Sequence, residues 1–125
     1  MLTRKQMRED VLRVVENYID AVRRNDAGSL PLAPDVVFES PLNTIRGIEA
    51  FEKALVEFAA ILKGVEMVRL TADDEACAAA LRLDTVFGVV DFLEYFHLVE
   101  GRITSIKAYY DPRVLLEGMG KTKGA

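Results

Sequence analysis

The sequence predicts an α+β domain in which helices pack on one face of a curved, mainly antiparallel sheet. Apolar residues recur at helical spacing in two early segments, whereas residues 65–110 are rich in β-branched and aromatic residues and are interrupted by short polar breaks. Helices followed by consecutive strands are typical of this class. A chain of 125 residues buries enough surface for one core. We therefore predict a single domain over residues 1–117 and a disordered tail over 118–125.

Two long helices are predicted. The first runs from about residue 4 to 25, and its apolar residues fall at intervals of three and four: Met7, Val11, Val14, Val15, Tyr18, Ile19 and Val22. Glycine and prolines in "NDAGSLPLAPD" end this helix and allow at most a short turn before "VVFES", which is predicted to be a strand. The second helix is predicted over residues 47–62, and Gly64 follows as the glycine that terminates it.

The second half of the chain is predicted to form an antiparallel meander. Its strand segments are "VEMVRLTA", "ACAAALRLDTVF", "DFLEYFHLV" and "RITSIKAYY". Alternate residues of the third segment divide into two largely apolar faces, one with Leu93, Tyr95, His97 and Val99, the other with Phe92, Glu94, Phe96 and Leu98. Since helices on one side leave the other face uncovered, we expect a two-fold homodimer through the outer face of the sheet.

Composition narrows the classes of function. The formal net charge is −4 and no basic stripe is present, so nucleic acid is not an expected partner. No apolar run is long enough to span a membrane and the charged start does not resemble a secretory signal, so we expect a soluble, cytoplasmic protein. One cysteine, one histidine and scattered glycines predict neither a metal site nor a nucleotide cofactor.

Three charged residues within the apolar strands are candidates for chemistry. Arg82 and Asp84 lie two residues apart and therefore on the same face of a strand. If residues 88–90 form a three-residue loop, Asp84 lies opposite Glu94 and the two carboxyls meet beside the guanidinium. A two-residue loop reverses the parity and places Glu94 on the other face. Both registers are open at this point.

A buried pair of carboxyls retains one proton, which supplies one acid and one base for general acid–base catalysis. The simpler alternative is an ordinary Arg82–Asp84 ion pair and a solvated Glu94. Tyr18, on the apolar stripe of the first helix, is either a core residue or a hydrogen-bond donor in a pocket. His97 falls on the face opposite Glu94, where we expect a dimer-interface or surface residue.

Residues 7–112 resemble the nuclear transport factor 2-like superfamily, in particular its SnoaL-like and ketosteroid-isomerase-like proteins. The segments that carry the resemblance are "VENYIDAVRRND", "LAPDVVFESPL", "RGIEAFEKAL" and "EYFHLVEGRITSIKAYYDP". The resemblance implies a cone-shaped, strongly bent antiparallel or mixed sheet wrapped around N-terminal helices, a cystatin-like roll. It also implies a hydrophobic pocket inside the cone and dimerisation through the outer face.

By position, Tyr18 and Glu94 match the oxyanion-binding tyrosine and the protonated acid of the isomerases in this superfamily. Ser40 stands where those isomerases have their catalytic base. Arg82 and Asp84 resemble the Arg-x-Asp pair of the limonene-epoxide-hydrolase branch, whose second aspartate is replaced here by Ala108. The chain thus combines features of both branches.

From these observations we expect the domain to bind a small, mostly apolar molecule in an internal pocket. An enzyme of this kind would use cofactor-free acid–base chemistry for isomerisation, cyclisation or epoxide opening. Asp84 would be the base, Glu94 the proton donor, Tyr18 the oxyanion partner, and Arg82 would orient Asp84. The residues expected to contact the ligand are Phe38, Ser40, Phe58, Phe92, Phe96, Ala108 and Tyr110. The alternative is a non-catalytic association module or ligand carrier of the same fold.

Overall fold

The computed structural model describes the backbone of residues 1–124 and the side chains of residues 1–120. The elements follow the chain in the order α1 (Arg4–Arg23), a 3₁₀ turn (Ala27–Ser29), β1 (Leu32–Glu39), β2 (Thr44–Arg46), α2 (Ile48–Ala59), β3 (Leu62–Ala72), β4 (Ala76–Thr85), β5 (Gly88–Val99), β6 (Arg102–Tyr109) and α3 (Arg113–Gly124). The predicted α+β class is confirmed.

The six strands form one open, mixed sheet in the order β2-β1-β6-β5-β4-β3. β1 pairs in parallel with β6, whereas the other neighbours are antiparallel. The register shifts between Met67 and Arg69 in β3 and between His97 and Leu98 in β5. Such irregularities bend a strand and increase its twist, so the sheet curves toward the helices.

The core lies between the concave face of the sheet and helices α1 and α2, which pack on that face. Helix α1 begins with a reciprocal capping box between Thr3 and Gln6 and buries its apolar stripe against the strands. Phe96, Ile103 and Ile106 project from β5 and β6 into this layer and are fully buried. Each large apolar side chain buried there stabilises the fold by roughly 1.5–3 kcal/mol.

The observed elements differ from the predicted ones at their ends. Helix α2 ends at Ala59 because the chain then joins the sheet, where the Val86 amide donates to the Ile61 carbonyl. Strand β1 begins before Pro34, at an irregular stretch of its pairing with β6, which is where a strand tolerates proline. The short strand β2 was not predicted.

The C-terminal segment also differs from the prediction of a disordered tail. Helix α3 extends through Gly124, and Leu115 at its start is buried in the core. Ala125 lies outside the described residues. No helix within residues 1–124 is long and apolar enough to cross a membrane.

Candidate functional site

A cavity of about 190 Å³ lies between the concave face of the sheet, helices α1 and α2, and the start of α3. Six aromatic side chains line it: Tyr18, Phe38, Phe51, Phe58, Phe92 and Tyr110. Its remaining polar lining consists of Ser40, Asn43 and Glu94. Because Leu42 and Asn43 also line the cavity and are exposed, the loop between β1 and β2 forms its rim.

Strand alternation explains why Glu94 reaches this cavity. Phe92, Glu94 and Phe96 occupy successive inward positions of β5. The residues directly opposite Glu94 on the two neighbouring strands are Ala79 of β4 and Ala108 of β6, both buried. Two alanines beside a longer side chain leave space above the sheet, so Glu94 extends from the floor of the cavity toward Tyr18 of α1.

Glu94 and Tyr18 are buried residues that interact with each other electrostatically, and the Tyr18 ring packs against Phe51 and Phe96. Neither side chain has a hydrogen bond within the described residues. Since no fully buried side-chain oxygen or nitrogen there lacks a partner, the oxygens of Glu94 and Tyr18 must reach the cavity. Glu94 is 8% exposed and Tyr18 is 3% exposed. Burial raises the pKa of Glu94 to about 7. Burial, and then the nearby Glu94 carboxyl, raise the pKa of Tyr18 well above its ordinary value. Glu94 can therefore exchange a proton near neutral pH.

A second polar group lies between the cavity and its rim. The Tyr110 ring stacks on Phe92, with 4.0 Å between ring centroids. Burial raises the pKa of Tyr110, a hydrogen bond with Ser40 acts in the opposite direction, and the charge of Glu94 adds to the increase. The Ser40 hydroxyl also accepts hydrogen bonds from the amides of Leu42 and Asn43, at 3.2 and 3.3 Å. Ser40 thus holds the rim loop, which limits its freedom to bind a ligand.

Of the two registers that the sequence left open, the structure has the one with a two-residue turn between β4 and β5. Thr85 pairs with Gly88, and its hydroxyl donates to the Gly88 carbonyl at 2.7 Å and accepts from the Phe87 amide at 3.2 Å. These bonds close a two-residue turn, in which Gly88 has the positive φ of 137° that favours glycine. Asp84 consequently pairs with Val89, and Glu94 pairs with Ala79.

This register separates the predicted acid cluster. Arg82 and Asp84 lie on the outer face of the sheet, opposite to Glu94, and both are exposed. The Arg82 guanidinium pairs with Asp91 at 3.0 Å and with Glu66 at 3.7 Å, and not with Asp84. The predicted roles of Asp84 as the base and of Arg82 as its orienting partner therefore have no geometric basis, because neither residue contacts the cavity.

The other predicted residues divide into two groups. Phe38, Ser40, Phe58, Phe92 and Tyr110 line the cavity, as do Tyr18 and Glu94. Phe96 and Ala108 are buried in the wall behind it, where Phe96 packs edge-on against Tyr18 with 5.2 Å between ring centroids. Neither side chain lines the cavity, so neither is placed to touch a ligand there directly.

Fourteen of the 21 described residues that line the cavity were not among the predicted contacts, and three of them are instructive. Phe51 lies on the apolar stripe of α2, and this helical spacing was visible in the sequence. Leu115 and Met119 come from α3, in or next to the segment that was predicted to be disordered. The four-residue spacing of Leu115 and Met119 was the signal that could have found them.

Helix α3 closes one side of the cavity by close packing on the turn between β4 and β5. A Cβ atom at Gly118 would overlap the ring of Phe87. Val114, one turn earlier, lies against Gly88. A glycine at position 118 is therefore required for the observed distance between helix and turn.

The described residues that line the cavity show no feature of a metal or nucleotide site. Within the described side chains, no three residues of the types His, Cys, Asp and Glu are placed to hold a metal ion. The described lining contains neither lysine, arginine nor histidine that could bind a phosphate. What the arrangement can supply is an apolar enclosure, hydrogen-bond donors and one titratable carboxyl.

Comparison with known proteins supports the fold. A family model described as "Domain of unknown function (DUF4904)" matches residues 6–122. No curated protein matches the chain. Solved structures do match it over most of its length.

Three of these structures bear on the fold. An NTF2-like protein of unknown function from Cytophaga hutchinsonii has a TM-score of 0.76 at 19% identity, covering 82% of this chain and 91% of its own. A proposed ketosteroid isomerase from Kribbella flavida has a TM-score of 0.71 at 19% identity, covering 83% and 79%. An LEH-like epoxide hydrolase from M. tuberculosis has a TM-score of 0.72 at 24% identity, covering 94% and 98%. At these identities the likeness shows the fold alone.

Proposed function

We infer that this chain, which belongs to the DUF4904 family and has the NTF2-like fold, binds a small and mostly apolar molecule in its internal cavity. The observation that carries this proposal is the pair of buried polar groups, Tyr18 and Glu94, that face the cavity without a protein partner. The oxygens of these side chains are accessible from the cavity, because no fully buried side-chain oxygen of the described residues lacks a partner. A bound molecule that forms hydrogen bonds with them would gain about 0.5–1.5 kcal/mol for each bond.

The size of the cavity limits the ligand. A cavity of roughly 150 Å³ lined by apolar side chains is enough to bind benzene, and drug-sized ligands typically occupy about 300–1,000 Å³. The cavity here measures about 190 Å³. This volume supports a ligand of about one ring, or an acyclic molecule of similar size, and is too small for a fused four-ring skeleton.

The same site supports cofactor-free acid–base catalysis in which one residue moves the proton. The Glu94 carboxylate would take a proton from a carbon next to a carbonyl group and return it to another carbon of the same molecule, which gives an isomerisation with no net change in protons. The Tyr18 hydroxyl would donate a hydrogen bond to the carbonyl oxygen. A pKa of about 7 allows Glu94 to act in both directions at neutral pH.

A thermal-shift screen against single-ring amines, ketones, phenols, terpenes and epoxides tests ligand binding. Saturation at about 100 times the Kd stabilises the folded state by about 2.7 kcal/mol, which raises the Tm of a domain of this size by roughly 5–15 °C. Glu94→Gln and Tyr18→Phe are expected to reduce the shift. Asp84→Asn, a change in an exposed carboxyl on the opposite face, is the matched control and is expected to retain it. The absence of any shift across the screen would contradict the proposal.

We also propose that the outer face of the sheet associates with a second copy of the chain. Leu93, Tyr95 and Tyr109 are 45%, 48% and 49% exposed, and Leu93 lies directly opposite Tyr109 on the neighbouring strand. Lys107 and Asp91 on either side carry opposite charges, which permits pairing between two copies. An apolar patch with such a polar border is typical of a self-complementary interface.

Sedimentation equilibrium tests this association. The wild-type chain is expected to sediment as a dimer at micromolar concentration, and Leu93→Lys as a monomer with unchanged secondary structure by circular dichroism. A matched substitution away from the patch, Val56→Lys on the exposed side of α2, is expected to leave the dimer mass measured by sedimentation unchanged. A monomeric wild-type protein would contradict the dimer proposal and leave the cavity proposal intact.

A further inference from the structure

We propose that the ligand is a small organic cation, an amine with an apolar body of about one ring, whose ammonium group pairs with Glu94. This inference rests on the proposed function, since it names the chemical class of the molecule in the same cavity. It follows from the charges and rings around Glu94.

The first argument is the missing counter-charge. Of the described residues that line the cavity, Glu94 alone carries a carboxyl, and none carries a positive charge. A buried carboxylate is normally paired with a cation, because an isolated charge is expensive in a low-dielectric interior. On the outer face of the same sheet, Asp91 has such a partner in Arg82 at 3.0 Å. We therefore expect the cation that pairs with the Glu94 carboxylate to belong to the ligand.

The second argument is the aromatic lining. Tyr18, Phe51 and Phe58 reach the cavity from the helices, and Phe38, Phe92 and Tyr110 from the strands and the residue after β6. Rings that surround a desolvated cation attract it through their quadrupoles. A neutral ligand would need only an apolar wall, which leucine and isoleucine supply equally well.

The negative charge of Glu94 disfavours an anionic ligand. A carboxylate ligand would be desolvated beside Glu94 with no positive group in the described lining to offset the repulsion. The formal net charge of −4 further favours the approach of cations over anions. An amine needs no displacement of a protein cation before it binds.

Pairing with Glu94 makes the affinity depend on pH with a definite sign. The titratable groups that face Glu94 are Tyr18 on α1 and Tyr110 after β6, and Ala79 and Ala108 flank it on the neighbouring strands. Both tyrosines keep their protons at neutral pH because their pKa values are raised. An amine requires the carboxylate form of Glu94, so its affinity is expected to rise as pH increases from 5.5 to 8, with the midpoint near 7. A neutral ligand that accepts a hydrogen bond from the protonated form would show the opposite slope.

The experiment compares three probes of equal size and different charge: benzylamine, benzyl alcohol and benzoate. Titration calorimetry with the wild-type chain is expected to show benzylamine binding at least about tenfold more tightly than benzyl alcohol at pH 8, as charged hydrogen-bonded pairs allow. Benzoate is expected not to bind. Glu94→Gln is expected to abolish the preference for benzylamine over benzyl alcohol, and the exposed-face control Asp84→Asn is expected to retain the preference.

The outcomes separate the two proposals. Equal or tighter binding of benzyl alcohol at pH 8, or amine affinity that falls as pH rises, would overturn the cation proposal and leave ligand binding in the cavity intact. Failure of all three probes, together with a negative thermal-shift screen, would overturn both. If Glu94→Gln does not fold, the pH dependence of benzylamine binding to the wild-type chain alone decides between the cation and the neutral ligand.

Discussion

Carboxyl groups on the two faces of β4 and β5 lie in opposite environments, one exposed to solvent and the other buried. On the outer face Arg82, Asp91 and Glu66 form a cross-strand ion-pair network that is open to solvent. On the inner face Glu94 is buried among aromatic rings, and no protein group of the described residues bonds to it. An exposed pair on a surface contributes little to stability, whereas a buried group without a partner is costly. The candidate site is therefore identified by a carboxyl group without a charged partner, more than by the presence of a charge alone.

The largest expected effect that tests this difference is the pH dependence of stability caused by Glu94. Its pKa is raised from 4.5 to about 7 in the folded chain, so the folded state binds an extra proton between these values. The free energy of unfolding therefore falls as pH rises from about 4.5 to about 7, by roughly 3 kcal/mol in total. Urea unfolding across this range is expected to show that loss in the wild-type chain and not in Glu94→Gln.

Tyr18→Phe is the control for that measurement, since it leaves Glu94 buried and should keep the slope. Parallel stability curves for the wild-type chain and Glu94→Gln would show that Glu94 is solvated, and the contrast between the two faces would then fail.

A smaller effect is expected from two valines that follow each other on β5. Val90 is 4% exposed and faces the core, whereas Val89 is 56% exposed and faces outward. Val90→Ala is expected to lower the free energy of unfolding by about 2 kcal/mol through lost burial and a residual cavity, and Val89→Ala by less than about 0.5 kcal/mol. Chemical denaturation of both variants measures the difference. Similar losses at both positions would mean that the outer face is also covered, as it would be in the proposed dimer.

The smallest expected effect concerns the helix that closes the inner side. Gly118→Ala replaces a glycine whose Cβ would overlap Phe87, and the overlap is expected to outweigh the better helix propensity of alanine, for a net loss of about 1 kcal/mol. Gly120→Ala, two residues further on with nothing near its Cβ position, is expected to be neutral or stabilising. Thermal unfolding of the pair provides the comparison. A stabilised Gly118→Ala variant would show that α3 does not pack on Phe87 as described.

Much of the fold was readable from the sequence because hydrophobic periodicity decides it. The helical stripe of α1 and the alternation in β4–β6 reflect burial on one face, and the same alternation correctly assigned Phe92 and Glu94 to one side of β5. The relation between neighbouring strands was not readable. It depended on whether the turn had two or three residues, and the hydrogen bonds of Thr85 that decided this leave no periodic signal.

The candidate site was predicted only in part, because periodicity shows which face a residue occupies but not the register between strands. Tyr18 and Glu94 were placed from the stripe and the alternation, whereas Arg82 and Asp84 were placed from an assumed register and lie on the other face. Leu115 and Met119 were missed because glycines in "EGMGKTKGA" weaken local helix propensity, and packing against the core outweighs that preference. Tertiary contacts of this kind are not visible in a local pattern.

The parallel pairing of β1 with β6 has a consequence for how fast the molecule can assemble. Phe38 of β1 pairs with Ile106 of β6, so this pairing closes a loop of roughly 70 residues. The hairpins β3–β4, β4–β5 and β5–β6 join residues that are close in sequence and can form earlier. Since long-range pairing slows folding, we expect β1 to join the sheet late. The wall of the cavity that carries Phe38 would then be the last to close, and a nascent chain would acquire the complete cavity only in the final step of folding.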